Sequence, residues 1–113
     1  MVVGAWVKGF PGAVTLCDPE GIILEMNEIS AQSFEKSGGR ELIGKNILDC
    51  HPEPSLSRLK EIMKNRCVNS YTVEKNGIKK MVYQGPWYID KVYCGIMEMW
   101  FEIPGEMPHF VRD

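Results

Sequence analysis

A cysteine and a histidine stand side by side at Cys50 and His51, the pair in this chain most like a catalytic nucleophile and its base. Adjacent side chains rarely converge on one reacting atom, and the base of such a pair needs a third group to orient it. Asp49 is the only evident candidate for that group. The pair is therefore a poor fit to nucleophilic catalysis, and we expect a protein that is not an enzyme.

The four cysteines, Cys17, Cys50, Cys67 and Cys94, are scattered without a C-x-x-C pair. Metal sites favour close ligand spacing, and disulfides belong to oxidising compartments. We therefore predict small buried thiols in a cytoplasmic protein.

Two pairs of strands must position these residues, and both are marked by their turns. Asp-Pro-Glu-Gly separates the apolar runs 13–17 and 22–26, and each turn residue suits its place in a tight hairpin. Asn76-Gly77 separates 71–75 from 78–83 and is typical of a type I′ turn. A two-residue turn fixes the register, so the second pair should place Glu74 opposite Lys79.

Helices are predicted between the two hairpins. Asn27 precedes residues 28–36 and is placed to cap a helix there, while Gly38 and Gly39 end it. Residues 55–65 carry apolar side chains at helical spacing, with mixed charges on the other side. Mixed charges suit a helix that covers a sheet better than one that lies on a membrane surface.

The longest strand is predicted over residues 92–103. One alternate set of its side chains is wholly apolar and includes Met97 and Met99; the other set mixes Ile96 and Trp100 with acidic residues. The apolar set is expected to face the core. The whole pattern predicts an α+β fold, a five-stranded antiparallel sheet with short helices on one face.

With 113 residues, the chain is long enough for one domain with a modest core. Its formal net charge is −2 and no basic face stands out, so a nucleic-acid partner is not expected. The N-terminal apolar run is too short for a membrane span and lacks a signal-peptide pattern.

The order of these elements resembles the PAS domain, or sensory-box, family. The Asp-Pro-Glu-Gly hairpin, Asn27 before the first helix, the segment 41–46 and the Tyr93-Cys94-Gly95 strand carry the resemblance. It implies a PAS domain over 10–104, a flanking segment over 1–9 and a tail over 105–113. It also implies a final strand in the middle of the sheet and a pocket between sheet and helices, with Met97 facing that pocket.

Two PAS cofactors fit the sequence poorly. Flavin photoreceptors of the family have a cysteine directly after Gly-x-Asn, whereas here Ile47 follows Gly44-Lys45-Asn46. Haem-type PAS domains carry their axial histidine where this chain has Leu59. His51 is a weak substitute ligand, and a hydrogen-bonded histidine in the connector is the preferred interpretation. The cofactor is left unknown, with flavin and haem both disfavoured.

The resemblance implies a small-molecule ligand. The register does not decide which face of the 71–83 hairpin points toward the pocket. Aligning Pro86 with the proline usual in the family favours the face that carries Lys80 and Gln84, which would hold an anionic or carbonyl-bearing ligand. In the alternative, Lys80 extends to the sheet edge. The candidate pocket residues are Ile47, Leu59, Lys80, Val82, Gln84, Met97 and Met99.

A homodimer is also expected, because the mixed set of the last strand leaves apolar area exposed. The candidate interface residues are Val3, Trp6, Val7, Ile96 and Trp100. In the alternative, the N-terminal segment covers this patch within one chain. The preferred function is a sensory module that binds a small molecule and signals through a dimer or a signalling partner. A ligand-free dimerisation or adaptor module and, as the least favoured function, a small enzyme are the alternatives.

Overall fold

The computed structural model describes residues 4–113 and has the predicted α+β architecture. Within these residues, three α-helices, five strands and three short 3₁₀ turns follow one another. The helices are α1 (Ala5–Gly9), α2 (Glu28–Ser33) and α3 (Ser55–Asn65); the strands are β1 (Ala13–Cys17), β2 (Ile23–Met26), β3 (Asn69–Lys75), β4 (Ile78–Ile89) and β5 (Val92–Ile103); the 3₁₀ turns are Glu35–Ser37, Gly39–Leu42 and Ile47–Cys50. No helix within residues 4–113 is long and apolar enough to span a bilayer.

The five strands form one antiparallel sheet in the order β2-β1-β5-β4-β3, which confirms the final strand as the central one. The Asn-Gly turn sets the predicted register, with Glu74 opposite Lys79 and Tyr71 opposite Val82. Asn76 and Gly77 both have positive φ, as a type I′ turn requires.

Asn27 joins three parts of the fold through one buried side chain. Its Oδ1 accepts hydrogen bonds from the amide of Ser30, which caps α2, and from the amide of Val14 on β1. Its Nδ2 donates to the carbonyls of Val7 and Gly12. The predicted cap is thus also the residue that fixes α1 against β1 and α2.

The core lies between the sheet and the helical segments. Ile96, Leu59 and Ile47 are at most 2% exposed and belong to one cluster with side chains from β1, β2 and the turns. Burying each such side chain contributes about 1.5–3 kcal/mol. We call this side of the sheet the inner face and the opposite side the outer face.

The prediction that the wholly apolar set of β5 faces this core is wrong. Ile96 is buried in the core. Because alternate side chains of a strand share one face, Trp100 lies on the inner face with it. Met97 and Met99 therefore lie on the outer face, opposite Leu16 and Val14. The predicted dimer residues Ile96 and Trp100 thus point toward the helices, and the predicted pocket residues Met97 and Met99 point away from them.

A bulge at the start of β5 determines which of its side chains face the core. Tyr93 pairs with Tyr88 and Gly95 with Trp87, so Cys94 has no partner in the register. Gly95 has φ +134°, and a Cβ on it would collide with the carbonyl oxygen of Cys17. Only glycine permits this close approach of β5 to the end of β1.

Candidate functional site

The inner face carries a polar cluster at its centre, formed by Asn69, Gln84, Glu98 and His51. The Gln84 Nε2 donates to Glu98 Oε2 at 2.6 Å, and its Oε1 accepts from Asn69 Nδ2 at 3.1 Å. Gln84 is 6% exposed, so burial makes these hydrogen bonds costly to lose. The cluster links three adjacent strands, β3, β4 and β5.

His51 connects this cluster to the helical layer. Its Nδ1 lies 2.9 Å from the carbonyl oxygen of Ile47, and its Nε2 lies 3.8 Å from Glu98 Oε2. The first contact is a hydrogen bond, while the second is at ion-pair distance. The interaction with Glu98 raises the pKa of His51 above its usual value, and burial of the ring opposes this shift. The attraction between His51 and Glu98 is therefore strongest when the imidazole is protonated.

The geometry around His51 bears on two predicted chemistries. Both ring nitrogens are directed at protein acceptors, so ligation of haem iron through Nε2 would separate the ring from Glu98. The place of the usual haem ligand holds Leu59, which is buried in the core. Burial raises the pKa of the Cys50 thiol, and Asp49 adds to the shift. Cys50 therefore lacks the electropositive surroundings of a reactive cysteine.

The candidate ligand residues of β4 lie on the inner face. Val82 and Gln84 are buried, and the Lys80 Nζ lies 4.1 Å from the ring centroid of Trp100. Lys80 thus makes a cation–π contact with the residue beside it, and the amide of Gln84 is bonded within the polar cluster. Ile47 and Leu59, two further pocket candidates, are part of the packed core.

The outer face presents a second feature, a continuous apolar surface across β1, β5 and β4. Cross-strand rows join Val14, Met99 and Tyr83, and they join Phe101 with Met81. All of these side chains are partly exposed. The outer apolar surface consists of Val14, Leu16, Met81, Tyr83, Met97, Met99 and Phe101.

Two of the predicted N-terminal interface residues, Trp6 and Val7, border this surface. In α1, Val7 is buried, whereas Trp6 is 69% exposed. Phe10 follows α1 and makes an edge-to-face contact with Phe101, with ring centroids 6.2 Å apart. Val3 lies outside the described residues. The N-terminal segment therefore covers part of the outer face within one chain, since α1 lies over Val14, Leu16 and Met97 and Phe10 contacts Phe101. Met81, Tyr83 and Met99 extend beyond it.

Sequence reasoning missed Glu98 and Asn69 as members of the inner polar cluster. The Asn-Gly register, extended along the hairpin, places Asn69 opposite Gln84 and was a usable signal for one of them. For Glu98 the alternation gives no such signal, because an acidic residue in the mixed set of β5 indicates a solvent-facing side chain unless its partners are known. Within residues 4–113, no group of three His, Cys, Asp or Glu side chains is arranged to hold a metal ion.

Solved structures share this arrangement of sheet and helices. A C-terminal domain from Streptococcus mutans superposes with a TM-score of 0.69 at 16% identity, covering 90% of each chain. A sensory box sensor histidine kinase from Vibrio cholerae gives 0.63 at 16% identity, covering 88% of this chain and 87% of that one.

The PAS domain of Bordetella pertussis BvgS gives a TM-score of 0.62 at 20% identity, covering 88% of this chain and 82% of that one. No family model and no curated protein sequence matches the chain. The strand order, the helical layer on one face and these superpositions together show that the chain has the PAS fold.

Proposed function

We propose that this protein is a sensory and signalling module that acts through pairing of two copies at the outer apolar surface. The observation that carries the proposal is that surface itself. Met97, Met99 and Phe101 of the central strand lie partly exposed on the face opposite the core. Contiguous apolar patches of this kind usually mark interaction sites.

The composition of the surface favours a second copy as the partner. Its centre is apolar and uncharged, and its methionines adapt readily to a facing surface. Lys79 and Glu74 stand opposite each other at its margin, so the rim carries both signs of charge. A two-fold axis that passes beside this pair would place each of these charges near its opposite in the other copy.

Similar structures support a signalling role. The Vibrio cholerae relative is a sensory box sensor histidine kinase, and the Bordetella relative is a PAS domain. The pairing equilibrium would be the output of the module, and any ligand or partner that prefers one state would shift it. Our proposal contains no catalytic step.

Sedimentation equilibrium tests the pairing. Met99→Glu places a carboxylate at the centre of the surface. In a two-fold interface each substitution is present twice, once in each copy. At about 1–2 kcal/mol per copy, the dimer dissociation constant should rise by roughly 30-fold to 1,000-fold.

Ile78→Glu is the matched control for this experiment. Ile78 is 47% exposed on β4, on the side of Lys80 and Val82, away from the outer apolar surface. The dissociation constant of this variant should stay near that of the wild type. A wild-type protein that remains monomeric at high concentration would refute the pairing.

The inner polar cluster favours a second candidate function, the sensing of a small polar molecule. Gln84 is buried and Glu98 and His51 are largely covered, at the level of the sheet where the family resemblance implies a pocket. Lys80 is a cation on the same face of β4 as Gln84, and a ligand carboxylate would have to draw it away from Trp100.

Mass spectrometry of the natively purified protein tests for such a ligand. A thermal-denaturation screen with small carboxylates, run on the native protein and on Lys80→Met, tests the role of Lys80. Equal shifts for the two proteins would remove Lys80 from the site, and a native mass without any added molecule would favour the ligand-free pairing module.

A further inference from the structure

A cavity lies under α1, on the side of the sheet away from the core, where α1 covers part of the outer apolar surface. It has a volume of about 260 Å³ and opens to solvent. Its apolar wall comes from Trp6 and Val7 of α1, Val14 and Leu16 of β1, and Met97 of β5. This volume is slightly below the range of about 300–1,000 Å³ of ordinary ligand pockets, so its occupant would be small.

The walls of the cavity are held in place by Asn27. This side chain is 4% exposed and bonds to the carbonyl of Val7 in α1 and to the amide of Val14 in β1. Val7, itself 6% exposed, fixes the apolar side of the short helix. The space between α1 and β1 is therefore built into the fold and does not need a ligand to form.

The charged residues around the cavity have a positive balance. Arg40 and Lys8 line it together with a single carboxylate, that of Glu25. Arg40 Nη1 donates to the carbonyl of Met26 at 3.3 Å, which holds the guanidinium at the cavity wall. Among residues 4–113, none of these three charged groups is in an ion pair.

We infer that this cavity binds a small amphipathic monoanion, with its apolar body against Leu16 and Met97 and its carboxylate at Arg40. An apolar chain in the cavity removes hydrocarbon surface from water, which supplies most of the affinity. The planar guanidinium pairs with a carboxylate through two parallel hydrogen bonds, which supplies the choice of head group. Because the cavity shares Val14, Leu16 and Met97 with the surface proposed for pairing, the inference is tested on a monomeric variant as well as on the wild type.

Calorimetric titration with octanoate and with its neutral counterpart octanamide tests this inference. Octanoate should bind at least about 10-fold tighter than octanamide, because only the carboxylate pairs with the guanidinium. Arg40→Gln should remove that difference and leave octanamide binding unchanged. Arg58→Gln removes an exposed arginine of α3 outside the cavity and is the matched control, which should bind both compounds as the wild type does.

Filling the cavity is the second arm of the test. Leu16→Trp should weaken both compounds by about 10-fold or more, because the larger side chain occupies the apolar end. The same titrations on Phe101→Glu, which is designed to be monomeric, separate this inference from the proposed pairing. The inference would be overturned if octanoate did not bind, or if the wild type bound octanoate and octanamide equally. It would also be overturned if octylamine bound more tightly than octanoate, or if Leu16→Trp left the affinity for both compounds unchanged.

Discussion

The two faces of the sheet meet different surroundings although the same strands build both. On the inner face, helical segments and turns cover Ile96 completely, and the acidic Glu98 beside it is held by Gln84 and His51. On the outer face, Met97 and Met99 are wholly apolar neighbours that remain partly exposed. Apolar character alone therefore does not identify the core face of a sheet, since a buried face can accept a carboxylate that has partners.

The largest expected effect comes from the glycine that sets which residues face each side. Gly95→Ala should lower the free energy of unfolding by about 4 kcal/mol or more, because a Cβ would collide with the Cys17 carbonyl at an unfavourable φ. Gly77→Ala, also at positive φ but with open space around it, should cost only about 1 kcal/mol. Urea denaturation measures both, and equal costs would show that the close approach at Gly95 is unimportant.

Adjacent residues of β5 give the next comparison. Ile96→Ala should cost about 3 kcal/mol, because it leaves a cavity in the core. Met97→Ala should cost about 1 kcal/mol or less at low protein concentration, where the outer face is wet. Urea denaturation of the two variants measures the difference between the faces. A larger loss from Met97→Ala would reverse our assignment of the faces.

The smallest expected effect concerns the link from the inner face to the helical layer. Because Glu98 raises the folded-state pKa of His51 above 6.5, the pair stabilises the protein below that pH. This stabilisation should be lost as the pH rises through the folded-state pKa. His51→Asn should therefore cost more stability at about pH 5.5 than at about pH 8.5 in urea denaturation.

The exposed His109 provides the control for the pH series, since His109→Asn leaves the inner cluster intact. It should follow the wild-type dependence of stability on pH. A His51→Asn variant with that same dependence would show that His51 and Glu98 do not interact.

Local signals in the sequence predicted most of the fold. The Asn76-Gly77 turn fixed the register of β3 and β4 residue by residue, and α3 has its predicted bounds. Both predictions depend on chemistry within a few residues, namely positive φ at a tight turn and apolar spacing along a helix. The resemblance to PAS domains supplied the strand order, which local chemistry does not contain.

The facing of β5 could not be predicted from its alternation. The wholly apolar set was assigned to the core, but the partners that make Glu98 acceptable there lie on β4 and before α3, far away in sequence. The cavity at Arg40 was missed for the same reason, because α1, β1 and the Gly39–Leu42 turn meet there only after folding. Contacts between distant segments decided both features.

Methionine oxidation at two protein concentrations tests most directly whether a second copy covers the outer face. Met97 and Met99 should react slowly with peroxide at high concentration, where copies are paired, and faster on dilution. Met26, 3% exposed, should react slowly at both concentrations, and Met107, 51% exposed, should react fast at both. Equal oxidation rates of Met97 and Met99 at the two concentrations would contradict the pairing of two copies through this face.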